Sequence, residues 1–343
     1  MVAEGQHRNN TRWRLPAEWE RRAGSLLAWP YLPGPAQSAL EALYVHLISL
    51  LRTVEPLRVL VAPDDRRRVA GLLGGEDESL RLEPLLSNDI WMRDAGPISV
   101  VNDAGQVLFL DGNFNGWGRR FAHELDTLLP LVLSRRWGYR RQRLGLCLEG
   151  GAIEVNGRGL GLTTTPVLTH PNRNNPGRQQ IESELERWLG VQDLVWLPHG
   201  LSMDHTDGHI DNLVRFVDPS HLVCCVADRD HPDAAALSEN RAVVSAALGA
   251  AYTLIDLPTP QFRSSSGQWL AASHANFYLA SGLALVPGFG DNSDDQARAK
   301  LQALLPRHEV IVVDCRAVLA HGGGLHCMIQ PLHGHLAVEK QPA

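Results

Sequence analysis

Residues 204 to 212 read DHTDGHIDN and place His205, Asp207, His209 and Asp211 at alternate positions. Side chains on a β-strand alternate between faces, so a strand running through this stretch into LVRFV would carry both imidazoles and both carboxylates as one polar stripe. Two chemistries use such a set. Imidazole and carboxylate ligands hold zinc or iron for metal-dependent hydrolysis. Imidazole beside a thiol and carboxylates instead moves protons for a covalent reaction. Consecutive same-face positions on a strand lie roughly 6 to 7 Å apart, too far for one ion unless the strand bends, and no HExxH accompanies them. The metal hydrolase therefore stands as the alternative reading.

Three further polar motifs favour the covalent chemistry: NDIWMRDAGP (88 to 97), LEGGAIEV (148 to 155) and GGGLHCMIQ (322 to 330). Gathered in one pocket they would bring Asp94, Glu149, His209, Asp211 and Cys327 together. A thiol with an ordinary pKa of about 8.5 needs a base or a cationic neighbour to react at neutral pH, and His209 suits that role. Two spare carboxylates suit a planar cation with several N–H donors, such as a guanidinium. Each residue alone also has a structural role: Trp91 in packing, Glu149 at a strand end, Asp94 as the partner of Arg93 or Arg215. The other cysteines, Cys147, Cys224, Cys225 and Cys315, read as core thiols.

The elements that must position these groups are hairpins. PISVV-NDAGQ-VLFLD, AIEV-NGRG-LGLTT, LVRFV-DPSH-LVCCV and ANFYL-ASG-LALVP each join two short apolar runs by a turn, and they recur about every 55 to 65 residues. Helical patterns fill the gaps: QQIESELERWLG carries Ile181, Leu185, Trp188 and Leu189 on one face, and 39 to 52 and 296 to 305 are similar. The strands LRVLVA and VIVVD follow helices. SLLAW near the start and LHCMI near the end lack hairpins of their own, and pairing them would close a ring without open edges. The expectation is an α/β chain of about five ββαβ-like units around an axis, one domain over 1 to 343, with a core of about 15 to 332 and flexible tails. A doubly wound sheet is disfavoured because the turns inside each hairpin are too short for crossover helices.

The 343 residues have 44% hydrophobic and 20% charged content, as ordinary globular chains do. A formal charge of −6 argues against nucleic acid as a partner and is compatible with a small cationic substrate. The start, MVAEGQHRNNTRWRLP, has no apolar core of the length a secretory signal needs, and no run approaches the length of a membrane span, so a cytoplasmic enzyme without membrane contact is expected. Five cysteines without a CxxC pair suggest neither a disulfide framework nor a thiolate zinc site.

PAEWE and AWP near the N-terminus, NDIWMRDAGP, FNGWG, LEGGAIEV, PNRNNP, the DxTxGHxDN pattern, AASHANFY with VPGFGD, and GGGLHCMIQ occur in this order from about residue 15 to 332. This series resembles the agmatine deiminases, the branch related to bacterial peptidylarginine deiminases within the guanidine-modifying superfamily. The resemblance implies a five-bladed pseudo-symmetric α/β propeller that hydrolyses agmatine to N-carbamoylputrescine and ammonia, as a homodimer and without metal or other cofactor. It implies Cys327 as nucleophile of a thiouronium intermediate, His209 as general acid and base, Glu149 as its orienting carboxylate, Asp94 and Asp211 as the guanidinium grip, and Trp91 as a pocket wall. Departures fall at specificity positions. Many agmatine deiminases read DETNGHVDN where this chain has His205 and Asp207, so the acid at position 205 is missing and Asp204 or Asp207 would have to meet the substrate's distal ammonium. The nucleophile loop is one residue shorter than the GGGNIHC form. Arg119 and Arg120 follow FNGWG, and a basic rim there would favour arginine or peptidyl arginine.

Overall fold

The computed structural model describes residues 12–31 and 36–334. In chain order the strands are β1 (Trp13–Arg14), β2 (Gly24–Ala28), β3 (Leu57–Val61), β4 (Leu80–Pro84), β5 (Ile98–Asn102), β6 (Val107–Asp111), β7 (Arg140–Arg143), β8 (Glu154–Val155) and β9 (Leu160–Thr164). They continue as β10 (Asp193–Leu197), β11 (Val214–Phe216), β12 (His221–Val226), β13 (Thr253–Pro258), β14 (Tyr278–Ala280), β15 (Leu283–Gly288), β16 (Glu309–Asp314) and β17 (Gln330–Leu332). Among the described residues these form five separate sheets, ordered β17-β2-β3-β4, β1-β5-β6-β7, β10-β9-β8, β11-β12-β13 and β14-β15-β16.

One connection pattern recurs. An antiparallel hairpin (β5/β6, β8/β9, β11/β12, β14/β15) hands over to a helix, and the next strand returns parallel to the hairpin's second member. The returning helices are Leu129–Arg136, Arg178–Leu189, Ala234–Leu248 and Ser293–Leu304. A parallel return needs such a crossover, whereas the hairpins need only a few turn residues. The helix Arg178–Leu189 buries Ile181, Leu185 and Leu189 as its spacing predicts and ends at Gly190 in the left-handed region, φ 71°.

The remaining sheet is assembled from both ends of the chain. β2 runs parallel to β3 across the helix Ala36–Leu51, and β17 supplies its antiparallel neighbour, with Gln330 opposite Leu26 and Leu332 opposite Gly24. The terminal pairing expected of SLLAW and LHCMI thus falls on the three residues directly after LHCMI, 330 to 332. LHCM itself forms one helical turn, Leu325–Met328, and the strand begins after it. The tails expected to be flexible lie largely outside the described residues, but the ordered chain exceeds 15 to 332: Trp13 and Arg14 pair with Asn102 and Val101 of β5, and His333 is buried.

The polar stripe does not lie on a strand. Residues 204 to 209 form a turn and 210 to 212 a 3-10 turn, with β11 starting only at Val214. Asp204 folds the segment locally: its carboxylate accepts from the Thr206 amide (2.8 Å) and hydroxyl (2.7 Å), the His209 amide (3.2 Å) and Asn212 Nδ2 (3.3 Å). Asp207 and Gly208 follow at φ 68° and 105°, which no strand accepts. Likewise AIEV contributes only Glu154 and Val155 to a strand, because 150 to 152 form a 3-10 turn. Among the described residues no helix is long and apolar enough to cross a membrane.

His333 ties the closing sheet to its neighbour. Its Nδ1 lies 3.0 Å from Ser99 Oγ on β5, and its amide donates to the same oxygen at 3.0 Å. Burial, with Arg22, Arg14 and Arg93 nearby, pushes the imidazole down to about 3. The unfolded chain, titrating near 6.5, therefore binds a proton that the folded chain refuses. Stability is full above about pH 6.5 and is lost as pH falls toward 3. His333→Asn should remove about 2 kcal/mol of the stability difference between pH 7 and pH 5. Urea unfolding of both proteins at both pH values checks this, and equal differences would refute it.

Candidate active site

Four turns meet at Gly151. A Cβ placed on this glycine would fall 2.5 Å from His209 Nδ1, 3.0 Å from Asp94 Oδ1 and 3.1 Å from Asp211 Oδ2, so any side chain here would displace the others. Asp94 comes from the helical turn Met92–Ala95, Glu149 from the residue before the 3-10 turn 150–152, His209 and Asp211 from the 204–212 turn, and Cys327 from the helical turn Leu325–Met328. All five are buried, Glu149 and His209 completely.

Asp94 is held by two donors, the Gly151 amide to Oδ1 and Trp117 Nε1 to Oδ2, both at 3.0 Å. His209 lies between carboxylates, Nδ1 3.7 Å from Asp94 Oδ2 and Nε2 3.9 Å from Glu149 Oε2. Glu149 spends its other oxygen on Arg173 Nε at 2.8 Å. Asp211 Oδ2 accepts from His326 Nδ1 at 2.8 Å and lies 3.7 Å from Cys327 Sγ. Asn276 Nδ2 lies 3.2 Å from the same sulfur and also donates to Asn212 Oδ1 at 3.0 Å. Trp91 covers the glycine loop: its ring lies within 2.6 Å of where a Gly323 Cβ would be, and it stacks on His321 at 5.8 Å.

Among the described residues both ring nitrogens of His209, Glu149 Oε2 and Asp211 Oδ1 are buried without a hydrogen-bond partner. Each such group costs about 1–3 kcal/mol, and their concentration at one point is chemistry that a ligand with several N–H donors would satisfy. The electrostatics agree. Burial drives His209 down, but Asp94, Glu149 and Asp211 more than offset it and hold its pKa above the ordinary value. Burial raises Asp94, reinforced by Asp211 and Glu149. Burial, then Asp211 and Asp94, push the Cys327 thiol well up. The carboxylates thus favour the protonated imidazole and disfavour the thiolate.

Asp204, His205 and Asp207 stand apart from the cluster around Gly151. Asp204 is spent on its own turn. Asp207 turns away from the centre to Arg173 Nη1, Arg120 Nη2 (2.6 Å) and Asn172 Nδ2 (3.1 Å). His205 is exposed, its ring edge-on to Phe121 and 3.7 Å from the Cβ position of Gly322. The four residues of the stripe diverge, and no group of three or more His, Cys, Asp or Glu among the described residues is disposed to hold a metal ion. Arg93 and Arg215 pair not with Asp94 but with Glu18. Five contributors escaped the residue-by-residue reading: Trp117, Arg173, Asn276, His326 and Glu18. Their signal was present, since all lie inside FNGWG, PNRNNP, AASHANFY, GGGLHCMIQ and PAEWE.

Residues 14–332 match the model of the Porphyromonas-type peptidyl-arginine deiminase family. The chain belongs to this family. It is 32% identical to the agmatine deiminase of Stutzerimonas stutzeri over 92% of this chain and 94% of that protein. Among solved structures, a cysteine-to-serine agmatine deiminase of C. jejuni with substrate bound superposes with a TM-score of 0.87 at 26% identity, covering 98% and 99% of the two chains. A putative arginine deiminase of Porphyromonas gingivalis gives 0.85 at 34% identity, covering 93% and 98%. The mixed α/β fold is that of these deiminase structures.

Asp211 bears directly on the thiol of this family member. Asp211→Asn removes a negative charge 3.7 Å from Cys327 Sγ and should lower the thiol pKa. Alkylation of Cys327 at pH 8, followed by peptide mass spectrometry, should then run about tenfold faster than in wild type. An unchanged or slower rate would contradict the geometry.

Proposed function

We propose that this chain is a cofactor-independent deiminase that hydrolyses agmatine to N-carbamoylputrescine and ammonia. The observation that carries the reading is the cluster of unpartnered acceptors and donor nitrogens around Gly151, beside a buried thiol. The agmatine deiminases among its relatives support it. Asp94 and Asp211 receive the guanidinium N–H groups, and Trp91 walls the site. The cation offsets the carboxylate charge that holds Cys327 as a thiol, so as substrate binds the thiol gives its proton to solvent and becomes the thiolate. The thiolate attacks the guanidinium carbon. The C–N bond then breaks, and ammonia leaves with a proton from His209, which Glu149 orients. His209, now neutral, takes a proton from water as the oxygen attacks the thiouronium carbon; the C–S bond breaks and Cys327 is regenerated.

The same proposal takes the five sheets as blades of a propeller in a single domain, since the sheet made from both chain ends would close a ring. A homodimer, a cytoplasmic setting and a place in putrescine and polyamine formation rest on the resemblance and the sequence reading alone.

One observation favours a second substrate reading. Asp207, the remaining acid near the rim, is neutralised by Arg173 and Arg120, and Asp204 is consumed by its turn. A distal ammonium therefore meets no free carboxylate between residues 204 and 207. Arginine or peptidyl arginine, with a distal carboxylate or amide, is the alternative.

Ammonia release measured side by side with agmatine, arginine, a peptidyl arginine and alkylguanidines decides the substrate. Agmatine should give the highest kcat/KM, and if it were the poorest the assignment would fail. Cys327→Ser should lose at least about 10⁴-fold in kcat, and retained turnover would overturn the covalent mechanism. Arg120→Ser frees one oxygen of Asp207. It should lower KM for agmatine several-fold while leaving arginine no better bound, and the opposite change would favour the second reading.

A further inference from the structure

Glu18 lies outside the reaction centre, in the N-terminal PAEWE segment, yet it is the counter-ion on which three cations converge. Its Oε1 pairs with Arg215 Nη2 at 3.0 Å and accepts from the Leu279 amide at 2.8 Å. Its Oε2 accepts from Arg93 Nη2 at 3.0 Å and from His326 Nε2 at 2.7 Å. The other nitrogen of His326 donates to Asp211 Oδ2 at 2.8 Å. Arg215 in turn gives its Nε to Glu154 Oε2 at 2.9 Å. Charges thus alternate along one buried chain from Glu154 through Arg215, Glu18 and His326 to Asp211.

Building on the deiminase reading, we propose that Glu18 is a positioning residue for Asp211: it holds His326 as an imidazolium and draws Arg93 and Arg215 aside, so Asp211 stays ionised and open to the substrate guanidinium. A neutral imidazole has one donor and one acceptor nitrogen, whereas ionised carboxylates only accept. Both His326 nitrogens lie within hydrogen-bonding distance of a carboxylate oxygen, so both must carry protons. Both carboxylates are ionised. Burial opposes this in Glu18, but Arg215, His326 and Arg93 hold it well below the usual range. Burial also opposes it in Asp211, where the His326 hydrogen bond prevails. The remaining groups facing this chain are Arg22 and Tyr278 beside Glu18, Glu154 near His326, and His209, Asp94 and Cys327 around Asp211. Without Glu18, the nearest arginine lacks its partner and lies one residue from Asp94. The imidazolium also lacks the acceptor on its outer side.

The direct test is long-range proton–nitrogen NMR of the full chain labelled with ¹⁵N-histidine, with His326 assigned by its loss in His326→Asn. At neutral pH the unmutated protein should show both His326 nitrogens protonated, and a neutral ring would overturn the proposal without any variant. Glu18→Gln should convert His326 to a neutral tautomer. In the same variant KM for the best guanidine should rise about tenfold, and the acidic limb of kcat/KM should move up by about one pH unit as Asp211 takes a proton more readily. A uniform fall in rate with an unmoved profile would reduce Glu18 to a structural role and refute the proposal. Glu18→Asp, which keeps the charge, should restore the profile. If the unmutated protein released ammonia from no guanidine, the functional reading would fail while the NMR result still decided the state of His326.

Discussion

Burying carboxylates around a single imidazole is the constraint from which the rest of this structure follows. Asp94, Glu149 and Asp211 would each be expensive to ionise away from water, so each needs donors that hold it without using up its capacity to bind a cation. The protein meets this by supplying each carboxylate with one or two partners from other parts of the chain. Trp117 and the Gly151 amide hold Asp94, Arg173 holds one oxygen of Glu149, and His326 holds one oxygen of Asp211. What is left over is His209 and one oxygen each on Glu149 and Asp211, buried without a hydrogen-bond partner among the described residues. The turns are short because each delivers one or two side chains to a point already crowded by the others.

This division explains why the outlying arginines matter. A free guanidinium from Arg93 or Arg215 would satisfy Asp94 or Asp211 internally and would mimic the substrate. Both are instead drawn to Glu18 and Glu154, and Arg93 also donates to the His326 carbonyl at 3.3 Å. The same logic at the rim consumes Asp207, whose two arginine partners leave it no charge to offer.

The repeating hairpins and crossover helices were legible because their signal is local: period-two apolar runs, turn residues, and a 3.6-residue face such as Ile181, Leu185 and Leu189. The five residues gathered around Gly151 and the thiol were legible as residue types, and their convergence followed from the repetition. The 204–212 segment was misread because alternation of polar residues satisfies the strand period equally well. What broke the strand was Asp204 capturing nearby donors and Asp207 adopting a positive φ, tertiary and turn effects that periodicity does not carry. LHCMI was misread as a strand for a related reason, since an apolar run of five cannot be told from a helical turn. The supporting residues were invisible singly, because an arginine or a glutamate in sequence does not announce which distant charge it meets.

The sheet built from both chain ends places β17 beside β2, and the turn carrying Cys327 leads directly into β17. Strands β2 and β3 lie far ahead of β17 in the chain, so that sheet lacks its antiparallel neighbour until residues 330 to 332 are present. Cys327 lies three residues before Gln330 and is tied to the same pairing. Glu18, near the start, likewise has no His326 to meet until then. A chain cut before residue 325 would keep four of the five sheets whole but lack Cys327, His326 and the strand that pairs with β2.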